Sequence, residues 1–296
     1  MQIGRGWGIS FASILLISSW CLARFIIENK PLKLIYFLYF LFSVYFYISI
    51  FLLNLTPASL VVGSHNRIST LVLSFGVLIY FLDPNIRTIH VINIFIVCLV
   101  SQGSAGIITS FFLAMLVFVK CYKANIFFWI FFLIIASTSF GYIIYNISQE
   151  SFLFETLSKL DFGRLTGEDV RFSIANEYLL RAQDSYINFF TGVKSWSYVG
   201  ESIYNNEVRT LTNLHNSYLD AHLSYGIFGI FMNLLVFFIL YKTTLNSYFH
   251  SGLLFVVLLR AFADTNFIIS GYFNFVILIF LVSIYSDYFN SYANES

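Results

Sequence analysis

Charge is scarce in this chain. Of its 296 residues only 10% are Asp, Glu, Lys or Arg, while 58% are hydrophobic and the mean hydropathy is +0.79. Soluble domains carry about a quarter charged residues and under half apolar ones, so a water-soluble globule, a disordered chain, a collagen and a disulfide scaffold are all excluded. Charge of one sign is missing too: the net charge is +1, which gives no reason to expect nucleic acid as a partner. Cysteine is limited to Cys21, Cys98 and Cys121, each in or beside an apolar run, so they read as packing residues and not as a disulfide framework. The short apolar–polar alternation of a membrane β-barrel is also absent. In its place stand unbroken apolar runs of roughly 15 to 25 residues, the length a helix needs to cross about 30 Å of hydrocarbon.

What is there is an all-α polytopic membrane protein of about nine transmembrane helices with one large loop. The runs fall near Trp7–Ile27, Leu34–Leu53, Ile68–Leu82, Thr88–Val100, Ile107–Val119, Ile126–Ile147, His215–Leu240, Gly252–Ile268 and Phe273–Tyr288. Six helices thus occupy 1–147, a partly helical loop 148–213, and three helices 214–296. Lys30 and Lys33, Arg87, Lys120 and Lys123, and Lys242 lie in alternate connections, which the positive-inside rule assigns to the cytoplasm. The long loop then faces the periplasm across a bacterial inner membrane. It holds fifteen of the chain's 16 basic and 15 acidic residues between Asn146 and Asn213.

Within the loop, Thr166-Gly167-Glu168-Asp169 reads as a capping box opening a helix. Val170, Ile174, Tyr178, Ala182, Tyr186 and Phe190 then recur every four residues along one face, so this helix is expected to lie on the membrane surface or over a cavity. Arg164 before its start and Arg171 in its second turn put two guanidinium groups at a positive helix end, an arrangement suited to an anion. Trp196, Tyr198 and Tyr204 are the aromatic residues best placed outside the hydrocarbon to stack on a sugar.

The stretch from His215 to Gly229 combines polar residues and glycines at the entry of a membrane helix. Ionisable groups there are costly in lipid and face a protein interior or a watery cavity. An imidazole titrates near neutral pH, which suits His215 to act as acid, base or hydrogen-bond partner. His222, two turns on, reads as a packing polar residue, since one His pair without a third ligand is a poor metal site. Gly226 and Gly229 allow a second backbone to come close.

His215-Asn216, nine residues, then Gly226-x-x-Gly229 resembles the His-Asn-x9-Gly-x-x-Gly signature of the O-antigen ligase and O-antigen polymerase superfamily of membrane glycosyltransferases. Further stretches resemble the same family in the same order. Gly63-Ser64-His65-Asn66-Arg67 is similar to its Gly and Asn turn, Ser101-Gln102-Gly103-Ser104-Ala105-Gly106 to its Ser-Arg-Gly segment, and Arg171-Phe172 to the arginine of its periplasmic loop. Together they span about residues 60 to 270. Gln102 stands where the family commonly has arginine. Nine helices fall short of the family's usual ten to twelve, as expected of a short member or of a chain lacking its first helices.

The resemblance implies a polymerase that joins undecaprenyl-diphosphate-linked repeat units into O-antigen or capsular polysaccharide on the periplasmic face, with a lipid-linked oligosaccharide as substrate. A flippase and a chain-length regulator are the protein partners it implies. The leaving lipid diphosphate would be held by Arg164 and Arg171, with Asn216, Arg67, Ser101 and Gln102 as further substrate contacts. His215 and Arg171 would be the catalytic pair. His215 would either take the proton of the attacking hydroxyl or hold a phosphate, and both roles stay open. The chain has no Asp-x-Asp motif, and Glu168-Asp169 is accounted for by helix capping, so no metal and no cofactor are expected. Two other functions were weighed: the ligase that moves finished O-antigen onto lipid A core, and, in a different class, a polysaccharide transporter or flippase. Transporters carry mid-helix polar residues and inverted repeats. Neither pattern is evident here.

Overall fold

The computed structural model describes residues 5–60, 66–83, 87–101, 104–122, 170–193, 196–201, 208–211, 214 and 216–262. The runs Ile126–Ile147 and Phe273–Tyr288 and the Thr166 capping box lie outside them. Helices dominate what is described. Three of them are long and apolar enough to cross a membrane: Leu32–Leu52, Ala105–Tyr122 and Ile227–Leu245. The chain is to this extent a helical membrane protein.

The described residues divide into two compact units, 31–162 and a second made of 1–30 with 163–296. In the first unit, α2 (Leu32–Tyr47) follows Pro31 and runs into a π-helical turn at Ile48–Leu52, then come α3 (Pro57–Leu60), α4 (Asn66–Leu82), α5 (Thr88–Val100) and α6 (Ser104–Tyr122). The core is built from Val72, Val77 and Ile79 of α4, Val91, Ile94 and Val97 of α5, and Leu113 and Val117 of α6. Two glycines bring these helices close. A Cβ on Gly76 would lie 2.3 Å from Ile94 Cδ1, and one on Gly106 2.3 Å from Ser69 Cβ. Apolar packing alone gives little drive between helices in lipid, so small residues and polar pairs decide which faces meet.

The polar pairs sit between α2 and α5. Asn93 Nδ2 donates to Tyr39 Oη (2.5 Å) and to Ser43 Oγ (3.1 Å), while its Oδ1 accepts from Tyr47 Oη at 2.7 Å. Tyr39 Oη donates onward to the His90 carbonyl at 3.2 Å. At the end of the same seam Tyr36 Oη donates to Asp83 at 2.6 Å.

The second unit contains α1 (Arg5–Asn29), α7 (Val170–Gln183), α8 (Tyr186–Thr191), a two-stranded antiparallel hairpin of β1 (Tyr198–Glu201) and β2 (Val208–Leu211), then α9 (Ser217–Tyr225), α10 (Ile227–Asn246) and α11 (Tyr248–Phe262). The hairpin departs from the all-helical expectation. Two further expectations are corrected here. The four-residue apolar repeat ends at Ala182. Ile174, Tyr178 and Ala182 are buried together, but Ser185 turns extended and its side chain caps α8 by accepting from Asn188 N, which leaves Tyr186 87% exposed. The run His215–Leu240 is also not one helix. It breaks at Gly226, whose φ of +59 stops α9 and redirects the chain into α10.

Candidate functional site around helix α9

Helix α9 starts at Asn216. Extended backbone there (φ −149, ψ 115) lets its Oδ1 accept from Tyr218 N at 3.0 Å and Leu219 N at 3.2 Å, which satisfies two of the amides a helix start leaves open. The Asn216 Nδ2 donor has no partner among the described residues. At nine residues α9 is far too short to span a bilayer.

Several contacts fix this short helix. Tyr218 Oη donates to the Leu258 carbonyl of α11 at 3.0 Å, its ring stacks on Phe237 of α10 with centroids 5.6 Å apart, and Asn233 Nδ2 donates to the Tyr218 carbonyl at 3.0 Å. Backbone approach does the rest. A Cβ on Gly226 would lie 2.1 Å from the Phe190 carbonyl oxygen, and one on Gly229 2.1 Å from that of Ala221. Gly192, with φ +76, meets the Leu223 carbonyl at 2.4 Å in the same way. These glycines are therefore places where α8, α9 and α10 touch through backbone.

His222 is 7% exposed and both ring nitrogens are engaged. Nε2 lies 2.7 Å from the Phe189 carbonyl, which only accepts, so Nε2 carries the proton. Nδ1 then accepts from Tyr178 Oη at 2.7 Å. Burial pushes the Tyr178 phenol well above its ordinary value, which keeps it a neutral donor. His222 thus ties α7, α8 and α9 together. Below it, Tyr178 meets Trp196 edge-on at 5.2 Å, in a cluster with Ile174, Ala182, Val193 and Leu214.

Trp196 is buried at 5% exposure, and the Arg181 guanidinium, itself paired with Glu177, lies 5.2 Å over its ring. Its face is closed to a stacking sugar, contrary to expectation. The indole Nε1–H has no hydrogen-bond partner among the described residues. Tyr204 lies outside them.

Asp220 is the second buried polar group left over. It is 8% exposed, and among the described residues nothing hydrogen-bonds or ion-pairs with its carboxyl. Burial pushes it up to about 7. Sequence reasoning assigned it no role. The signal was present, since it is the single acidic residue between Glu207 and Asp264, one turn inside a helix start that leads into an apolar run.

Of the residues expected to form the site, Asn216, Gly226 and Gly229 come together on α9 and its ends. His215, Arg164 and Gln102 lie outside the described residues, and of Arg171 only its backbone place in the first turn of α7 is described. Arg67 and Ser101 belong to the other unit. Arg67 is the exposed second residue of α4. Ser101 follows α5, fully buried, with its hydroxyl donating to the Cys98 carbonyl at 2.9 Å, which leaves it no donor for a ligand. No family model, characterised protein or solved structure matches this chain.

Proposed function

We propose that this chain is a membrane glycosyltransferase of the polymerase type, joining undecaprenyl-diphosphate-linked repeat units at the periplasmic face of a bacterial inner membrane through about nine spans and one large external loop. One observation carries the reading: the order His215-Asn216, nine residues, Gly226-x-x-Gly229, immediately after a charged loop bearing Arg164 and Arg171. The local geometry supports it. Asn216 opens a short helix that stops at Gly226, and Gly229 lies in the first turn of α10, a helix of membrane-crossing length packed against it. A lipid-linked donor needs its reacting sugar held at the membrane edge, and a short, firmly held helix that leads into one of membrane-crossing length suits that task.

The chemistry is transfer of the donor's anomeric carbon from lipid diphosphate to a sugar hydroxyl. Cations at the loop helix would hold the diphosphate. The deciding experiment is deletion and complementation in the source bacterium. Cells lacking this chain are expected to attach single repeats to their acceptor, and the wild-type chain restores long polymer while His215→Ala and Arg171→Ala, inserted at equal level, do not. Finished polymer accumulating on its lipid carrier in the deletion strain would assign the ligase reaction instead. Repeat units trapped on the cytoplasmic face would assign a flippase.

A further inference from the structure

Helix α9 buries three polar side chains, Ser217, Asp220 and His222, and all but one are engaged. His222 uses both nitrogens and Ser217 has a partner, whereas no described residue bonds to the Asp220 carboxyl. A buried carboxyl without a partner is costly, and folded proteins retain few of them. Its position is also tightly held: the Asn216 cap stands one turn before it, the Gly229 contact falls on Ala221 beside it, and Tyr218 and Asn233 lock the same turn. A firmly held, mostly buried carboxyl that accepts from no described residue suits proton transfer more than it suits packing.

Among the described residues the packed elements carry few other titratable groups. Tyr178 on α7 and Tyr225 on α9 interact electrostatically with Asp220, and burial pushes both phenols up, so they stay neutral. Tyr186 lies on α8 and His222 on α9 itself. Tyr241 and Lys242 lie in the last turns of α10, and α11 carries Tyr248, His250 and the buried Arg260, while Glu177 and Arg181 on α7 pair with each other.

We propose that Asp220 accepts the proton of the attacking sugar hydroxyl. This rests on the glycosyl-transfer reading and adds the group that reading left open. In the step, the hydroxyl oxygen bonds to the donor's anomeric carbon as the bond from that carbon to the diphosphate oxygen breaks. The electron pair leaves on the lipid diphosphate, and the hydroxyl proton moves to the Asp220 carboxylate, which becomes neutral. Asn216 Nδ2, one turn earlier in the chain, donates to no described residue and would be a second hydrogen-bonding group for the same hydroxyl.

The test uses purified full-length chain in lipid nanodiscs, with the lipid-linked oligosaccharide pool extracted from cells deleted for this chain as the probe. Wild-type protein should extend that pool, with kcat rising with pH and levelling above about 7. Asp220→Asn should lower kcat by about 100-fold or more, with KM changed by less than about threefold. Asp220→Glu, which keeps a carboxyl, covers the case in which the amide variant does not fold. It should retain activity with a displaced pH midpoint. Wild-type protein that extends nothing overturns the glycosyl-transfer reading itself. Active wild type with an equally active Asp220→Asn, or with an unmoved midpoint in Asp220→Glu, overturns the Asp220 assignment alone.

Discussion

The Tyr178 hydroxyl lies 2.7 Å from His222 Nδ1, joining residues 44 positions apart in the chain and closing a line that runs from Tyr178 through the imidazole to the Phe189 carbonyl. Every donor and acceptor on that line is used. The histidine is thereby a structural tie between the loop helices and α9, held in one tautomer by a carbonyl on one side and a phenol on the other.

Tyr178→Phe should leave Nδ1 buried without a donor and lower stability by about 1–3 kcal/mol. Combining it with His222→Leu should cost much less than the sum of the two, because the double variant removes both partners. Thermal denaturation of the purified variants in detergent measures the coupling; additive effects would break the assignment.

Gly226→Ala demands a left-handed backbone from a residue with a Cβ and places that atom 2.1 Å from the Phe190 carbonyl oxygen. The two penalties together should exceed about 3 kcal/mol. Little monodisperse protein should be recovered on size-exclusion chromatography. Gly229→Ala, which is helical but equally crowded by the Ala221 carbonyl, should behave nearly as badly.

Asn216 serves the helix through Oδ1 and leaves Nδ2 spare. Asn216→Ala should cost about 1 kcal/mol from the lost cap. Asn216→Asp keeps the capping oxygen but removes the amide donor, so it should be as stable as wild type and, under the proposed reaction, still defective in transfer. Full activity in a folded Asn216→Asp protein would remove the side chain from the substrate site.

Asp220 sets a pH dependence of stability. Its carboxyl is raised from an ordinary value of 3.8 to about 7 in the folded chain, so between those values the folded state binds a proton that the unfolded state has lost. Stability should therefore fall as pH rises from about 4 to about 7 and stay level above, by a total on the order of 4 kcal/mol. Melting temperatures of wild type and Asp220→Asn compared across that range isolate the effect, since the amide variant should lack the slope.

Asn93→Leu removes three hydrogen bonds between α2 and α5 and leaves Tyr39, Ser43 and Tyr47 without that partner. A loss of about 1–2 kcal/mol is expected, read from detergent melts. Asn93→Asp, which keeps the acceptor for Tyr47 and loses the two donors, should fall between it and wild type.

Helix α5 shows how much could be read from the chain directly. The expected Thr88–Val100 is the observed element, because a run of apolar residues ending in Ser101 has no other way to satisfy its backbone in lipid than a helix bounded by that polar punctuation. The same reasoning found α4 and α6 to within three residues at either end. It failed at Gly226, where hydropathy continues unbroken from Tyr225 into Ile227. What ends the helix there is the left-handed backbone of Gly226, where the Phe190 carbonyl, 36 positions earlier, leaves no room for a Cβ, and hydropathy carries no trace of either. Tyr186 failed for a related reason: its spacing continues the buried stripe, but the side chain of Ser185 restarts the helix and turns the tyrosine outward.

The site divides in the same manner. Asn216, Gly226 and Gly229 were legible as a motif, and Trp196 as an aromatic outside the hydrocarbon. That Trp196 is closed in by Tyr178 and Arg181, and that Asp220 is buried without a partner, depends on which distant groups pack beside them.

The sequence by itself determined the solvent this protein lives in, because a chain with 10% charge cannot cover itself for water, and it located apolar helices such as α4, α5 and α6, because lipid admits little else. Only the tertiary structure decided which polar side chains are satisfied. His222 and Asp220 stand two residues apart on one short helix, with similar burial and similar cost in lipid. One meets a phenol and a carbonyl brought in from elsewhere in the chain and becomes a structural tie. The other meets nothing among the described residues, and its carboxyl is left with the capacity to exchange a proton.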